Sequence, residues 1–213
     1  SRHQGGDNGF IYKLKRLIKY GLINLLKIAF QKIIYSNNAE KKIVHKCTML
    51  IKHKKIKQFY NHDFDTCLNK AKNESNLAIL VYFNRIIKRK FISNKFKIIN
   101  IHPSLLPYYK GVQPVFWSLY NNEKIMGASI HLIDSSIDTG PIYKKIEIPK
   151  KTNSININMY NISLEVSTEI IEILKMIVEN KIIPKTQTKS KGSYYSRPSK
   201  TEIKKFLKNN KYF

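Results

Sequence analysis

Cysteine is scarce in this 213-residue sequence, and the two that occur exclude a disulfide-stapled scaffold. Cys47 and Cys67 show no spacing typical of a disulfide framework or a zinc site. We therefore expect reduced, partly buried thiols, as in cytoplasmic proteins.

Acidic residues are also few, with 14 Asp and Glu against 39 Lys and Arg, a net charge of +25. Such a charge favours partners that are polyanions: RNA, phosphorylated substrates or anionic lipid. However, no short segment concentrates the charge into a basic arm, and no aromatic-rich RNA-binding signature accompanies it. Two interpretations stay open, compositional drift of a lysine-rich sequence and an anionic partner, and an anionic small substrate agrees with both.

Long hydrophobic runs are absent, so the sequence predicts no membrane span. The nearest candidate, FIYKLKRLIKYGLINLLKIAFQKIIY, carries a lysine every few residues. It therefore resembles an amphipathic helix with a charged face. We expect such a helix to cover a sheet, and the alternative is a helix that lies on a membrane surface. No signal peptide is visible.

The remaining composition, with 42% hydrophobic residues, is sufficient for a buried core in one domain of ordinary size. We expect a main domain over residues 1–181 and a C-terminal extension over 182–213 that ends in a short helix. The chain opens on SRHQGGDNGF, which resembles a loop feeding a helix. We expect that the strand that should precede this loop is missing from the sequence.

Apolar periodicity predicts strands that alternate with helices, the pattern of an α/β fold with a mostly parallel, twisted sheet. The run LAILVYF, for example, is typical of a strand buried on both faces. The predicted strands lie within 42–52 and at 77–83, 97–101, 127–134 and 142–148. The predicted helices lie at 8–35 or 9–35, 61–73, 85–94, 113–122 and 155–181, with Asn61 or Asp63 capping the second and Ser199 or Thr201 capping the short C-terminal helix.

A polar pair ends one of these strands. Asn100 and His102 lie two residues apart, so both side chains can face one site at the carboxyl end of the strand, where open α/β sheets bind ligands. A loop stiffened by prolines 103, 107 and 114 follows, and such a loop is suited to form a pocket wall. Downstream, GASIHLIDSSIDTGPIY holds His131 in a strand and Asp134 and Asp138 near the glycine that closes a loop.

These two segments resemble the formyltransferases that use 10-formyltetrahydrofolate, which act on methionyl-tRNA, glycinamide ribonucleotide and nucleotide-linked amino sugars. The resemblance covers about residues 77–148 and is carried by NIHPSLLPYYKG and IDTGPIY. It implies the Rossmann-like formyltransferase fold, with a sheet flanked by helices and the first strand lacking. It also implies 10-formyltetrahydrofolate as formyl donor, a small anionic amine as partner, and tRNA as a possible one. It implies no metal and no membrane span, and leaves the oligomeric state unknown.

Site residues follow from the resemblance, residue by residue. Asn100, His102 and Asp138 resemble the catalytic triad, and His131 resembles a histidine kept in the strand before the folate loop. The implied cofactor-binding residues are Tyr82, Phe83, Asp134, Ile137 and Gly140. The implied substrate-binding residues are Ser104, Lys110, Gly111, Gln113 and Pro114, with Lys110 standing where most similar relatives have arginine.

The implied reaction is attack of an amine on the formyl carbon. Asn100 and a protonated His102 would stabilise the developing oxyanion, and Asp138 would take the amine proton, in our expectation through water. We expect a nucleotide-linked amino sugar as acceptor, because the chain is short and its tail GSYYSRPSKTEIKKF resembles those of stand-alone members. The alternatives are methionyl-tRNA, a metal-dependent hydrolase built on His102, His131 and Asp138, and a non-catalytic RNA-binding module.

Overall fold

A computed structural model describes residues 64–83, 85–93, 95–188 and 192–209. The chain divides into two units, Asn61–Pro198 and a second one composed of Ser1–Tyr60 and Ser199–Phe213. The predicted helix over 8–35, the strand within 42–52 and the caps at 61 and 63 lie outside the described residues. The division at residue 181 stays a prediction.

The described elements follow the predicted order along the first unit. The helices are α1 (Phe64–Glu74), α2 (Pro114–Tyr120) and α3 (Ile155–Val178), and a 3-10 turn covers Arg89–Phe91. The strands are β1 (Leu77–Val81), β2 (Lys97–His102), β3 (Lys110–Gly111), β4 (Ile125–Leu132), β5 (Ile142–Pro149) and β6 (Tyr194–Tyr195). Among these described helices, none is both long and apolar enough to cross a bilayer.

The main sheet has the order β1-β2-β4-β5, with helices packed against it, so the α/β class is confirmed. Strands β1 and β2 are parallel as predicted, whereas the β2–β4 and β4–β5 pairs are antiparallel. The described part of the sheet is therefore mixed rather than mostly parallel. For the β4–β5 pair the physical reason is the short loop between the strands, which can join only antiparallel neighbours, since a parallel pair needs a crossover.

The helix predicted over 85–94 is wrong, because the structure has only the 3-10 turn there. Basic side chains crowd this segment and none in the turn is acidic, which disfavours a helix N-terminus. Ile87 and Phe91 are instead buried beside Leu68 of α1. Two exposed lysines of the segment pair with Asp65, with Lys88 Nζ at 2.6 Å from its carboxylate.

Strand β2 is one of the two inner strands of the described sheet, and every residue from Ile98 to His102 is buried. By contrast, β1 was predicted to be buried on both faces, but Ile79 is 41% and Val81 60% exposed. Ile79 and Val81 lie two residues apart and so share one face of β1, which is the accessible face of this strand.

Helix α3 packs against β4 and β5 through one apolar face, as its periodicity predicts. Its buried apolar positions are Ile162, Val166, Ile173 and Ile177. Ser154 begins the helix, and its Oγ accepts the Ile157 N–H at 3.5 Å. In the second unit, helix α4 (Lys200–Asn209) begins with the predicted cap, because Ser199 Oγ accepts the Glu202 N–H at 3.2 Å while Glu202 accepts the Ser199 N–H at 2.6 Å.

Candidate active site

The pairing of β2 with β4 brings two polar side chains of the site together. Asn100 lies opposite His131 in the antiparallel register, and His102 lies opposite Ser129. Asn100 Nδ2 is 3.4 Å from His131 Nε2. Both side chains are almost fully buried. The predicted polar pair of β2 therefore stands at the carboxyl end of the strand with a histidine of the next strand beside it.

The proline loop after β2 is tied to the sheet by hydrogen bonds. His102 Nε2 donates to the Tyr109 carbonyl at 3.0 Å, so Nε2 carries a proton. Ser129 Oγ accepts the Leu106 N–H at 2.9 Å and donates to the Ser104 carbonyl at 2.7 Å. These contacts fix the loop as a rigid continuation of the site.

Asp138 reaches the same place from the loop between β4 and β5. Its Oδ2 accepts the Gly111 N–H at 2.8 Å and lies 3.6 Å from His102 Nδ1. Its Oδ1 lies 3.7 Å from His131 Nε2. The carboxylate, with a side chain only 11% exposed, therefore stands between the two histidines.

Gly111 must be a glycine at this point. Its φ of +96° lies in the left-handed region, and a Cβ there would collide with the Tyr195 carbonyl and the Tyr194 ring. Because the side chain is absent, β3 pairs closely with β6 and the Gly111 amide can point at Asp138.

His131 is neutral at pH 7. Burial lowers the pKa of His131 to about 4, although the negative charge of Asp138 raises it in part. Its Nδ1 lies 2.8 Å from the Leu132 carbonyl, so the single ring proton sits on Nδ1 and Nε2 carries a lone pair. That lone pair accepts an Asn100 Nδ2–H and so orients the amide of Asn100.

A cavity of about 230 Å³ opens beside these groups. The predicted residues that line it are Phe83, Asn100, Gly111, Asp134, Ile137, Asp138 and His131. Asp134 also shapes its own loop, because its carboxylate accepts the Ser136 N–H and the Thr139 hydroxyl. His102 is not among the lining residues and lies behind Asp138, as its contacts with Tyr109 and Asp138 show.

Several other predicted site residues are not among those that line this cavity, and their predicted roles stay predictions. Tyr82 turns towards α3, where its hydroxyl is 3.0 Å from Ser163 Oγ. The place of a Cβ on Gly140 is filled by the Leu132 carbonyl. Ser104 Oγ donates to the Tyr108 carbonyl at 3.1 Å, and Pro114 is buried as the first residue of α2. Lys110 and Gln113 are not among the lining residues either.

Residues that the sequence did not single out also belong to the site. Arg85 and Tyr194 line the cavity. Gln187 is buried, and its side-chain amide donates to the carbonyls of Asp138 and Gly140. Arg85 and Tyr194 lie outside any recognisable motif of the sequence, so the sequence does not distinguish them from other basic and aromatic residues. The sequence around Gln187 likewise gives no sign of its contacts. Within the described residues, no group of three or more His, Cys, Asp and Glu side chains is arranged to hold a metal ion.

Comparison with known proteins identifies this arrangement. The profile of the formyl transferase family matches residues 31–171, which is more than half of the chain. The chain belongs to the formyl transferase family. The predicted family is therefore confirmed, and Asn100, His102 and Asp138 all lie within the matched range.

Relatives of known name agree on the family but differ in substrate. A methionyl-tRNA formyltransferase from Thermodesulfovibrio yellowstonii is 35% identical over 128 residues, which cover 58% of this chain and 41% of that protein. The chain thus spans less than half the length of this curated relative.

Solved structures show the same formyltransferase fold. The formyltransferase PseJ from Anoxybacillus kamchatkensis, in complex with UDP-4,6-dideoxy-4-formamido-L-AltNAc and tetrahydrofolate, is similar with a TM-score of 0.54 and 25% identity, covering 71% of this chain and 76% of that one. A 4-N formyltransferase from Francisella tularensis has a TM-score of 0.53 and 26% identity, with 64% and 55% covered.

Proposed function

We propose that this protein transfers a formyl group from 10-formyltetrahydrofolate to a primary amine, and that the amine belongs to a nucleotide-linked amino sugar. The observation that carries the proposal is the position of Asp138 within 4 Å of both His102 and His131, beside Asn100 and at the wall of a cavity. Three types of side chain that acyl transfer needs, a carboxylate, an imidazole and an amide donor, thus meet at one point.

The cavity suits the pterin end of the formyl donor. Phe83, Ile87, Ile133 and Ile137 give it apolar walls, and Asp134 and Asn100 add polar groups. Asn100 Oδ1 is buried and has no hydrogen-bond partner among the described residues, so it is free to accept a donor from a bound molecule. A flat heterocycle with apolar faces and polar edges fits such walls.

Asn100 is the proposed donor to the oxyanion that develops on the formyl group. One Nδ2–H is directed to His131, which leaves the second for the substrate oxygen. His102, in its protonated form, would supply positive charge close behind Asn100 and Asp138. A single such donor is worth about 100- to 1000-fold in rate in related chemistry.

Asp138 is the proposed acceptor of the amine proton, directly or through one water. The amine nitrogen forms the new bond to the formyl carbon, and the proton that it loses passes to the carboxylate. When the bond between the formyl carbon and N10 of the folate breaks, the same proton can return to that leaving nitrogen. Asp138 therefore acts first as base and then as acid.

For the acceptor, the likeness to PseJ favours an amino sugar, because that structure carries a nucleotide sugar and is covered over 76% of its length. A second candidate is methionyl-tRNA, which the names of the 35%-identical relatives favour. The net charge of +25 agrees with both, since a nucleotide sugar and a tRNA are both anionic.

The test is an assay of the purified chain with 10-formyltetrahydrofolate and, separately, a panel of nucleotide-linked amino sugars and methionyl-tRNA, with products detected by mass spectrometry. We expect formylation of an amino sugar and a drop in kcat of about 100-fold or more for Asp138→Asn. The matched control is Asp65→Asn, an equal change on the surface of α1. Failure to formylate any of these amines, or full activity of Asp138→Asn, contradicts the proposal.

A further inference from the structure

Gln187 holds both ends of the turn that carries Asp138. Its Nε2 donates to the Asp138 carbonyl at 3.0 Å and to the Gly140 carbonyl at 2.8 Å. The backbone places Gln187 there because Lys185 and Ile142 exchange two hydrogen bonds of 2.8 Å at the beginning of β5. A single amide group therefore binds the peptide group that precedes Thr139 and the one that follows Gly140.

This grip matters because the turn is in an unfavourable conformation. Asp138 has a φ of +52°, in the left-handed region that costs a residue with a Cβ some strain, although aspartate adopts it more readily than most. Such a conformation persists only where surrounding contacts over-determine it. The two carbonyls that Gln187 binds belong to the strained residue itself and to Gly140, so the bonds act at the place of strain.

The other half of the Gln187 amide supports a dedicated role. Its Oε1 is buried without a partner among the described residues. A buried acceptor without a hydrogen bond destabilises the folded protein. The benefit of a glutamine at this position must therefore come from the two hydrogen bonds that its N–H groups donate. The residue is also 91% buried, which excludes an accidental surface contact.

We infer that Gln187 is a positioning residue for Asp138: by binding the two carbonyls of the turn it directs the carboxylate towards the Gly111 amide and the two histidines. Its importance for catalysis rests on the proposed function, whereas its effect on the direction of the carboxylate does not. The Gly111 N–H reports that direction, because its hydrogen bond goes to Asp138 Oδ2 at 2.8 Å.

Neighbouring amides supply an internal control. The N–H of Lys110 donates to the Ser193 carbonyl at 3.0 Å, and that of Val112 donates to the Tyr195 carbonyl at 2.9 Å. Both depend on β6 and not on Asp138. A general loosening of the fold would expose all three amides, whereas a misdirected carboxylate would expose the Gly111 amide alone.

The experiment compares wild type with Gln187→Met, which keeps an unbranched side chain but loses the donors, and with Gln187→Glu, which turns a carboxylate towards the two carbonyls. Thr188→Ala is the matched control, because Thr188 is the exposed next residue. Residue-resolved amide exchange by NMR and steady-state kinetics with the amine acceptor and 10-formyltetrahydrofolate are measured on each protein.

We expect both Gln187 variants to exchange the Gly111 amide at least 10-fold faster, with Lys110 and Val112 within about two-fold of wild type. We expect kcat to fall roughly 10- to 100-fold while KM for each substrate stays within about two-fold, since displacement by about 1 Å has such an effect on rate. An unchanged Gly111 exchange rate in both variants overturns the inference, as does equal acceleration of all three amides. If the wild type transfers no formyl group, the proposed function fails and the exchange rates still decide the role of Gln187.

Discussion

Replacing His131 by a residue that cannot ionise should change how the stability of the protein depends on pH. In the folded protein the ring is 1% exposed, and burial lowers its pKa to about 4 from the ordinary 6.5. Five groups act on the ring: Asn100 and Asp138 at Nε2, the Leu132 carbonyl at Nδ1, the His102 ring in an edge-to-face contact, and the charge of Asp134. The negative charge of Asp138 raises the pKa and the nearby His102 lowers it, but burial has the largest effect.

The direction of the effect follows from the protons bound in each state. Between pH 6.5 and pH 4 the unfolded chain binds a proton at His131 and the folded protein does not, so the free energy of unfolding falls as the pH falls. At about 1.4 kcal/mol for each pH unit, a pKa lowered from 6.5 to about 4 corresponds to a loss of roughly 3 kcal/mol. The loss begins near pH 6.5 and is complete below about pH 4.

Urea unfolding at a series of pH values measures this loss, with the fluorescence of the single, buried Trp117 as the signal. His131→Gln and His131→Leu both remove the titration, and the two should agree with each other in pH dependence. We expect the stability difference between wild type and either variant to shrink by about 3 kcal/mol from pH 7.5 to pH 4. A difference that stays constant over this range would refute the assignment of His131 as a buried neutral base.

Two further substitutions test other parts of the site. Gly111→Ala should destabilise the protein by about 1–3 kcal/mol in urea unfolding and lower kcat, because Gly111 has a left-handed φ and the Tyr195 carbonyl occupies the space of a Cβ; wild-type stability would contradict this. Tyr82→Phe should lower stability by about 1 kcal/mol while the KM for 10-formyltetrahydrofolate stays unchanged, because the hydroxyl is bonded to Ser163 and Tyr82 does not line the cavity; a several-fold rise in KM would contradict this.

Much of the fold was predictable because strong local patterns agree with tertiary packing. The buried strand β2 and the amphipathic helix α3 appear where periodicity predicts them. The prediction fails over 85–94. The spacing of the apolar residues there resembles that of a helix, but the structure has a 3-10 turn that buries Ile87 and Phe91. Local helix propensity cannot predict this conformation, because the conformation depends on contacts with α1.

The candidate site also contains residues that the sequence predicts and residues that it does not. Asn100, His102 and Asp138 are predictable from sequence because each lies in a distinctive short motif; they lie close together in the structure, and their catalytic roles stay a proposal. Gln187 is not, because its contacts with Asp138 and Gly140 join residues that are far apart along the chain. A side chain that acts through a neighbour's backbone leaves no pattern in its own surroundings, and its catalytic role stays a proposal.

The pairing register of β2 and β4 decides whether the side chains of the candidate site come together when the protein folds. Asn100 stands opposite His131 and His102 opposite Ser129 in one frame of pairing. Sliding β2 by a single residue would send Asn100 and His102 to the opposite face and bring Ile101 towards the candidate site, and sliding β4 would remove His131 from it in the same way. Deletion of one residue inside either strand is therefore far more damaging than deletion in a surface loop. A molecule in which the two strands pair out of register would therefore lack the candidate site altogether.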